Sequence, residues 1–547
     1  MEHLGAGGPA MTAARTARGR HRQLGPVLPE PPDDAEKASY AWRSLPFLTT
    51  ALTVSALCMI ISQARLAAAQ PVLVIFAGYT AVYTVYQAIS LPVNFTGRSF
   101  RLADHVLKVK AYRPARWPAV DIFLPVCGEP IEVLRNTWTG VFELIYAYPG
   151  LARAYILDDG PSDAARDLSA TFGFSYLRRP GGRQFKKAGN LNYGFARSAG
   201  EFIVVFDADF RPRADFLSET LPYLDDPTVG IVQTPQYFRV SARQTWVERA
   251  AGPALEIFYR AVQVSRDRLG SALCVGSNAV YRRAALAPSG GFTLVPYAED
   301  SHTGLDARYH GFRLCYLPVP LAAGICPATL DSFMLQQYRW CCGATSLVWT
   351  RRMWRVPMRR AERLPYLAGW LWNLTAALRT LVLPLIPVTL LAFLPDELRL
   401  RNALLLIPPV ITGVVIYPLW HNAPYTPRIW PLSLAIGWAQ VLGLWDYAYR
   451  NVMAWQPSTA PSGTSRRFWW GVTGWNGTLA VAWAGLALWR IVQTGSPRFA
   501  VVAALGAANL VIVGRLIFPG RDQDRQAARR GPAGRAARYE QDGQAAR

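Results

Sequence analysis

The chain has 547 residues, of which 51% are hydrophobic and 17% are charged, so it is richer in apolar residues and poorer in charge than a soluble enzyme. The formal net charge is +22, but the basic residues gather beside apolar segments and in the two tails, which favours membrane orientation over nucleic-acid binding. Its seven cysteines form no CxxC pair and have no histidines at zinc spacing, which predicts reduced cytosolic thiols.

The first part of the chain is predicted to be a tail followed by a membrane hairpin. Residues 1–40 mix Arg, Gly, Pro and acids without an apolar core, so we expect a disordered cytosolic tail. Within 41–95, Leu45 to Ser62 and Pro71 to Val93 are apolar runs of roughly the length that crosses a bilayer. Four basic residues follow the second run, and they predict that the next segment is cytosolic: Arg98, Arg101, Lys108 and Lys110.

Residues 96–350 carry the pattern of an α/β domain with a mostly parallel sheet. Short apolar runs alternate with polar helical stretches, and the strand candidates are Val120 to Leu124, Arg153 to Leu157, Phe202 to Phe206 and Ile231 to Gln233. Ligands bind outside the carboxyl ends of the strands in such sheets. Five acids fall there: Glu129, Asp158, Asp159, Asp207 and Asp209.

Two acidic motifs have both a functional and a structural interpretation. Asp207-Ala208-Asp209 can hold Mg²⁺ or Mn²⁺ between two carboxylates and so bridge to a diphosphate, or it can be an ordinary strand-end turn. Asp158-Asp159-Gly160 can likewise be a turn, because Asp and Gly tolerate unusual backbone angles. Taken singly, each motif is better explained as a turn.

Further downstream, several motifs suit a sugar transferase. Lysine occurs only five times, so Lys186-Lys187 before Gly189-Asn190 suggests a point charge near phosphate rather than an exposed helix start. Glu299-Asp300 can supply a base for a sugar hydroxyl or cap the following helix. Trp340 can be an interfacial anchor or a sugar-stacking platform.

The order of these motifs resembles the processive family 2 glycosyltransferases, and within them the cellulose synthase group. The resemblance covers roughly Pro92 to the end of the membrane region. Its residues are Val120-Asp121-Ile122-Phe123-Leu124-Pro125 with Glu129-Pro130, Asp158-Asp159-Gly160, Lys187-Ala188-Gly189-Asn190, Asp207-Ala208-Asp209, Gln233-Thr234-Pro235, Gly276-Ser277, Glu299-Asp300 and Gln336-x-x-Arg339-Trp340. It implies a cytosolic GT-A type domain inserted between transmembrane helices.

The resemblance also implies a role for each site residue. Asp300 would be the general base, Arg339 would neutralise the leaving diphosphate, and Asp207 with Asp209 would bind Mg²⁺ or Mn²⁺. The nucleotide-sugar would contact Pro125, Glu129, Asp158, Asp159, Lys187, Asn190, Asp207 and Arg339. The acceptor would contact Gln236, Cys274, Gly276, Ser277, Glu299, Gln336 and Trp340.

The chain departs from the cellulose synthase pattern near the acceptor. Ala298 stands where Thr is usual, Gln236 where His is common, and Cys274-Val275-Gly276-Ser277 replaces Phe-Cys-Gly-Ser. The segment Trp455 to Arg467 lacks the Phe-x-Val-Thr-x-Lys motif of the family's gating loop, although its Ser, Gly and Pro content suits a mobile loop. No Asp-x-Ser-x-x-Gly follows Arg521-x-x-x-Arg525, so control by cyclic-di-GMP through a PilZ domain is not expected.

Residues 351–518 are predicted to hold interfacial helices and four spans of a glycan channel. Arginines beside Trp349 and Trp354 predict an interfacial helix pair, and five apolar segments follow: Leu371 to Leu394, Ala403 to Trp420, Trp430 to Met453, Trp469 to Ile491 and Phe499 to Ile517. The basic tail at 519–547, expected to be disordered, should stay inside. Trp430 to Met453 is therefore predicted to lie at the interface, which leaves six spans in total and both termini cytosolic.

Arg379 lies inside one of these predicted spans. Its side chain can extend to the cytosolic headgroups, or it can contact glycan hydroxyls at the channel mouth.

Together these features predict an inverting, processive plasma-membrane enzyme that extends a β-linked glycan, with cellulose or a similar glucan favoured, from a UDP-sugar and exports it. Its partners would be the donor, the growing glycan, membrane lipid and accessory export proteins, without nucleic acid. An alternative is a non-processive transferase that acts on a lipid-linked acceptor. An alternative of another class is a transporter or scaffold that has lost catalysis, against which intact Asp207, Asp209, Asp300 and Arg339 argue.

Overall fold

The computed structural model describes residues 27–41, 45–70, 73–97, 100–180, 184–453 and 465–518. Its strands are β1 (Val120–Val126), β2 (Ala152–Asp158), β3 (Ser175–Arg178), β4 (Phe202–Val205), β5 (Phe210–Pro212), β6 (Val229–Gln233), β7 (Ala279–Arg282), β8 (Arg313–Tyr316) and β9 (Ala322–Gly324).

The helices of the first half are α1 (Asp34–Ala41), α2 (Leu45–Ala69), α3 (Val74–Asn94), α4 (Leu102–Ala111), α5 (Ile131–Ala147), α6 (Asp163–Thr171), α7 (Lys186–Phe195), α8 (Phe216–Thr220), α9 (Trp246–Ile257), α10 (Gln263–Arg268), α11 (Arg283–Leu286) and α12 (Glu299–Tyr309). Those of the second half are α13 (Leu330–Trp349), α14 (Arg351–Arg355), α15 (Arg360–Val382), α16 (Leu385–Phe393), α17 (Leu400–Leu404), α18 (Ile407–Ile411), α19 (Tyr417–Trp420), α20 (Ile429–Ala448), α21 (Ser465–Trp470), α22 (Thr478–Thr494) and α23 (Ala500–Ile517).

Seven strands form one mixed sheet in the order β3-β2-β1-β4-β7-β6-β8. The pairs β2–β3, β1–β2, β1–β4 and β6–β8 are parallel, whereas β7 is antiparallel to both of its neighbours. The predicted α/β domain with a mostly parallel sheet is therefore confirmed, and all four strand candidates are strands. The pattern did not predict β3, β7 and β8 or the small β5–β9 pair.

Alternation along the central strands gives the sheet two buried faces. In β1, Ile122 and Leu124 belong to the core cluster that contains Trp138 of α5, whereas Phe123 belongs to a separate cluster on the other face. Because side chains of a strand alternate between faces, a continuous apolar run is what a strand covered on both sides requires. The apolar side chains of the strands form the core, and the polar residues lie at the strand ends, where a ligand could contact them.

The predicted tail at 1–40 contains an ordered segment, which corrects the expectation of disorder for its last residues. Residues 27–41 include α1, and their charges pair with the α/β domain. Glu36 binds Arg239 at 2.5 Å, Asp34 binds Arg213 at 2.8 Å, and Lys37 binds Glu219 at 2.5 Å. This segment has no apolar core of its own, and ion pairs with residues of the α/β domain hold it in place. Residues 1–26 and 519–547 lie outside the described residues.

Among the described residues, four helices are long and apolar enough to cross a membrane: Leu45–Ala69, Arg360–Phe393, Arg401–Trp420 and Pro497–Ile517. The predicted spans 71–93 and 469–491 coincide with α3 and with a helical run that ends with α22, but neither is among these four. The chain is a membrane protein, while six spans and their orientation remain a prediction.

The helix predicted to lie at the interface is α20, which ends at Ala448 rather than Met453. It packs closely against α13, because an added methyl group on Gly443 would lie 3.0 Å from Cβ of Cys341. Asp446 near its end is buried, accepts hydrogen bonds from Arg467 at 3.0 Å and from the Tyr338 hydroxyl at 3.0 Å, and so joins α20 to α13 and α21. Most of the Trp455 to Arg467 segment lies outside the described residues.

Candidate active site

Asp300 lies in the first turn of α12, in contact with the loop that precedes β7. The preceding Ala298 has a left-handed backbone with φ of 53°, which starts the helix. The Asp300 carboxylate accepts a hydrogen bond from the Ser301 backbone at 2.7 Å. Gly276 faces it, and an added methyl group on this glycine would lie 2.9 Å from the Asp300 carboxylate. The acid is therefore held between two backbone segments.

The environment of Asp300 favours a proton acceptor that works near neutral pH. Burial, followed by the neighbouring Glu299, raises the pKa of Asp300 to about 7, although Lys187 and the Ser301 N–H oppose the shift. A general base is most effective when its pKa lies near the working pH. The ability of a carboxylate to cap the helix does not require such a shift.

Lys187 connects Asp300 to the Asp207 motif. Its ammonium donates to the Asp207 carboxylate and, at 3.4 Å, to the Gly276 carbonyl. Burial acts to lower the pKa of Lys187, but Asp207, Glu299 and Asp300 together hold it above its ordinary value. The side chain is therefore a permanent cation beside the predicted diphosphate position.

The Gly276-Ser277 turn supports Asp207. The Ser277 hydroxyl accepts a hydrogen bond from the Asp207 backbone N–H at 2.9 Å. Gln233 fixes this turn because its amide donates to the Ser277 carbonyl at 2.7 Å and its oxygen accepts from the Val275 N–H at 2.9 Å. Ser277 is buried, so it acts through Asp207.

A cluster of like charges surrounds the Asp207-Ala208-Asp209 motif. Burial, then Asp207 and Glu129, raise the pKa of Asp209 to about 7. Burial also raises the pKa of Glu129, whose carboxylate accepts the Cys127 N–H at 2.6 Å. The described residues contain no group of three His, Cys, Asp or Glu side chains placed to hold a metal. Two repelling carboxylates of Asp207 and Asp209 nevertheless fit a divalent cation that takes its remaining ligands from a diphosphate.

At the end of β2, the structure engages both acids of the Asp158-Asp159-Gly160 turn. The buried Asp158 carboxylate accepts from the backbone of Gly160 at 2.6 Å and of Ser162 at 2.9 Å, and from the Tyr176 hydroxyl at 2.6 Å. The two carboxylate oxygens of Asp159 accept hydrogen bonds from Nε and Nη2 of Arg179, at 2.6 and 2.8 Å. The turn interpretation therefore describes their local contacts, and their contact with a nucleotide remains a prediction.

Two other predicted donor residues lie against the same strand. The Asn190 amide donates to the Leu157 carbonyl at 2.6 Å, and Pro125 of β1 is in register with Leu157. Gly160 lies against the loop after β1, since an added methyl group would lie 2.6 Å from the Gly128 nitrogen. Pro125, Asn190 and Gly160 therefore lie near the carboxyl ends of β1 and β2.

The residues that depart from the family pattern are partnered inside the domain. Gln236 accepts a hydrogen bond from the Tyr259 hydroxyl at 2.7 Å, and Cys274 lies 3.1 Å from the Tyr281 hydroxyl. Burial and then Asp300 raise the pKa of Cys274 to about 12, which keeps the thiol neutral. Cys274 therefore packs as a neutral, buried side chain near Asp300.

Gln336, Arg339 and Trp340 lie on one face of α13, because residues three and four apart in a helix are neighbours. Burial lowers the pKa of Arg339, while Glu299 and Asp207 act in the opposite direction. Both acids therefore lie close enough to act on this guanidinium. Trp340 is 42% exposed, as either a stacking platform or an interfacial anchor requires. The Gln336 side-chain oxygen is buried and has no hydrogen-bond partner among the described residues.

Helix α12 is tied to the helices that lead into the membrane. His302 lies 2.9 Å from the Ser346 hydroxyl of α13, and Asp306 binds Arg352 of α14 at 2.6 Å. Arg308 forms an ion pair with Glu362 of α15. These contacts fix the orientation of the helix whose first turn contains Asp300.

Three features of the site were not predicted: Arg179, Tyr259 and the role of Gln233 as a support of the turn. Lys186 was predicted only as a member of the rare lysine pair. Arg179 and Tyr259 had no sequence signal, because their partners lie far away in the sequence. Chemically, a half-buried acid beside fixed cations can accept a hydroxyl proton while an anionic leaving group is stabilised.

Residues 202–418 match the family model described as "Glycosyl transferase family group 2". Over 347 residues, the chain is 30% identical to a cellulose synthase catalytic subunit (UDP-forming) of Pseudomonas fluorescens, which covers 62% of this chain and 45% of that protein. Over 235 residues it is 34% identical to cellulose synthase 1 of Komagataeibacter xylinus, which covers 42% of this chain and 15% of that protein. The chain therefore spans less than half the length of these relatives.

Among solved structures, a mannosyltransferase from Pyrobaculum calidifontis in complex with GDP-Man and Mn²⁺ is 20% identical, with a TM-score of 0.42. The similarity covers 68% of this chain and 99% of the mannosyltransferase. The family match agrees with the predicted GT-A type domain.

Proposed function

Because the chain carries a family 2 glycosyltransferase domain that is similar to cellulose synthase catalytic subunits, we propose that it transfers sugar from a UDP-sugar to a growing β-linked glycan. Cellulose or a cellulose-like glucan is the favoured product. The reaction inverts the configuration at the sugar carbon, because one base and one stabilised leaving group are sufficient for a single in-line displacement.

The observation that supports this proposal most strongly is the surroundings of Asp300. This half-buried acid has a pKa of about 7 and interacts with the ammonium of Lys187, which in turn binds Asp207. Asp300 accepts the proton of the acceptor hydroxyl. Lys187 and Arg339 stabilise the negative charge that develops on the diphosphate.

Asp207 and Asp209 would hold Mg²⁺ or Mn²⁺. A divalent cation would supply Lewis-acid stabilisation to the diphosphate. The raised pKa of Asp209 supports this assignment, because a cation would relieve the repulsion among Asp207, Asp209 and Glu129. Ser277 keeps Asp207 in position through its hydrogen bond to the backbone.

Helix α13 would bind the acceptor at Gln336 and Trp340. The unsatisfied Gln336 oxygen can accept a hydrogen bond from a sugar hydroxyl, and an exposed Trp ring can stack on a sugar face. The same helix packs on α20 and α15, so the acceptor end of the site adjoins the membrane helices. The glycan would leave through these helices of a multi-pass plasma-membrane protein, with the catalytic domain and both termini cytosolic.

Product analysis tests this proposal. The full chain in lipid is incubated with several labelled UDP-sugars and Mg²⁺, and the product is separated by size and by solubility in organic solvent. A β-linked polymer from one donor is the expected result. A labelled glycolipid would support a lipid-linked acceptor instead. Absence of transfer from every donor would contradict glycosyl transfer and favour a silent transporter or scaffold.

A further inference from the structure

Lys186 is a half-buried cation whose own side chain has no partner among the described residues. Its neighbour Lys187 binds Asp207, but the Lys186 ammonium forms neither an ion pair nor a hydrogen bond there. Burial and then Arg339 lower the pKa of Lys186, so the two cations repel each other. Two cations that repel each other are stabilised when an anion binds between them.

The backbone at this point is strained. Phe185 and Lys186 both have a left-handed conformation, with φ of 55° and 48°. A left-handed residue with a side chain costs roughly 1–2 kcal/mol, so two in succession persist only where other contacts enforce them. The turn starts α7, whose second residue, Lys187, binds Asp207.

Arg179 supplies the contacts that enforce this turn. Its guanidinium is bound to both carboxylate oxygens of Asp159, at 2.6 and 2.8 Å. The same group donates to the carbonyls of Gln184 at 2.5 Å and Lys186 at 3.2 Å, so it joins the end of β2 to the turn. The side chains of Arg179 and Asp159 are only 9% and 7% exposed. A planar fork with several donors can make all of these contacts together, which a lysine cannot.

We propose that Lys186 is a further cation that binds the diphosphate of the donor, and that Arg179 is a positioning residue that holds Lys186 there through the left-handed turn. This assignment rests on the proposed use of a UDP-sugar. Lys187 remains bound to Asp207, whereas Lys186 offers its charge to the ligand. Arg179 does not contact the donor itself.

Binding of UDP in the presence of Mn²⁺ to the full chain in lipid nanodiscs, measured by calorimetry, tests the role of Lys186. We expect Lys186→Gln to weaken UDP binding by about tenfold or more, as is typical for a lost charged hydrogen bond. Binding of uridine, which lacks phosphate, should stay unchanged. Arg178→Ala is the matched control, because Arg178 is the exposed neighbour of Arg179. Equal UDP affinity in Lys186→Gln and the control would overturn the assignment.

The role of Arg179 is tested by a double-mutant cycle. Arg179→Ala should weaken UDP binding as Lys186→Gln does, and the double variant should lose no more than the larger single loss. Arg179→Lys, which keeps the charge beside Asp159, should lose UDP affinity to an intermediate degree. It replaces Arg179→Ala in the cycle if the alanine variant unfolds. Additive losses, or normal binding by both Arg179 variants, would contradict the positioning role.

The outcomes also separate this inference from the proposed function. A wild-type chain that binds UDP but transfers no sugar would refute the proposed function. The UDP-binding tests of the Lys186 and Arg179 variants would still decide the inference. A chain that transfers sugar while Lys186→Gln binds UDP normally would refute only the inference. If the wild-type chain binds no UDP, both are wrong.

Discussion

Gly276 and Asp300 approach so closely that a methyl group on the glycine would lie 2.9 Å from both Cβ and a carboxylate oxygen of the acid. Gly276 also has a φ of 79°, a conformation that other residues adopt at a cost. The glycine therefore serves both the backbone turn and the position of the proposed base.

The first prediction separates these two roles by replacing glycine with alanine at two sites. Gly276→Ala and Gly290→Ala should each lose about 1–2 kcal/mol of stability, because both have a left-handed backbone. Gly290 has open space where the methyl group would lie, so its variant should keep normal turnover once folded. Gly276→Ala should also lose most of its activity, because the methyl group displaces Asp300. Equal turnover in the two variants, measured with their thermal midpoints, would show that the contact is unimportant.

The second prediction concerns Asp300→Asn. An asparagine oxygen can still accept the Ser301 N–H, so the fold and the affinity for UDP should remain near normal. An amide cannot take up the hydroxyl proton, and loss of a positioned base costs about 10² to 10⁴ in rate. Glu299→Gln serves as the comparison and should lose less. Near-normal turnover of Asp300→Asn, in a single-turnover assay with UDP-sugar, would refute the assignment of the base.

The third prediction is a pH dependence that Glu299 sets. Burial and Glu299 raise the pKa of Asp300 to about 7, so the base is protonated and inactive at lower pH. The value of kcat/KM should therefore rise as the pH increases through about 7. Glu299→Gln removes a negative charge, which should lower the pKa of Asp300 and move this limb to lower pH. A limb that stays in place in a profile of kcat/KM against pH would exclude Glu299 as its cause.

The fourth prediction concerns the metal. Excess EDTA should abolish transfer, and added Mn²⁺ should restore it, because without a cation the carboxylates of Asp207 and Asp209 would repel a diphosphate. Asp207→Asn and Asp209→Asn should also lose transfer while they remain folded. Asp167→Asn provides a control, since its side chain is 74% exposed on α6. Full activity in EDTA, measured with labelled donor, would refute a role for metal.

The acidic residues at the strand ends could be predicted from the sequence, whereas the residues that hold the site residues in position could not. Asp158, Asp207 and Glu129 could be predicted to lie near one another, because the ends of parallel strands meet at one edge of the sheet. The contacts of Arg179 with Asp159, and of Tyr259 with Gln236, depend on how distant segments pack, and neither has a local pattern. The antiparallel β7 was missed because its residues Ala279–Arg282 form a short run between turns.

The ordered segment that precedes the membrane was missed for a related reason. Glu36 and Lys37 lack an apolar core in the sequence around them, which predicts disorder. In the fold they pair with Arg239 and Glu219, residues about two hundred positions away. Charge pairing across such a separation cannot be predicted from local composition.

The last prediction concerns Arg379 in α15, where the sequence left two interpretations open. The residue is exposed, forms no ion pair within the described part of the chain, and interacts electrostatically with Tyr79 and Tyr83 of α3. A charge in a span rarely faces lipid, and a guanidinium beside phenol groups can donate hydrogen bonds to glycan hydroxyls. If Arg379 lines the glycan path, Arg379→Leu should lower the polymer yield while hydrolysis of the donor continues, because the catalytic domain is unchanged.

The control for this prediction is Arg401→Leu, which removes an exposed arginine at the start of another candidate span. Polymer length and released UDP are measured together for both variants in lipid nanodiscs. A yield that falls only in Arg379→Leu would support contact with the glycan. An unchanged yield would mean that the Arg379 side chain extends only to the headgroups, because loss of a headgroup contact leaves the path of the glycan intact.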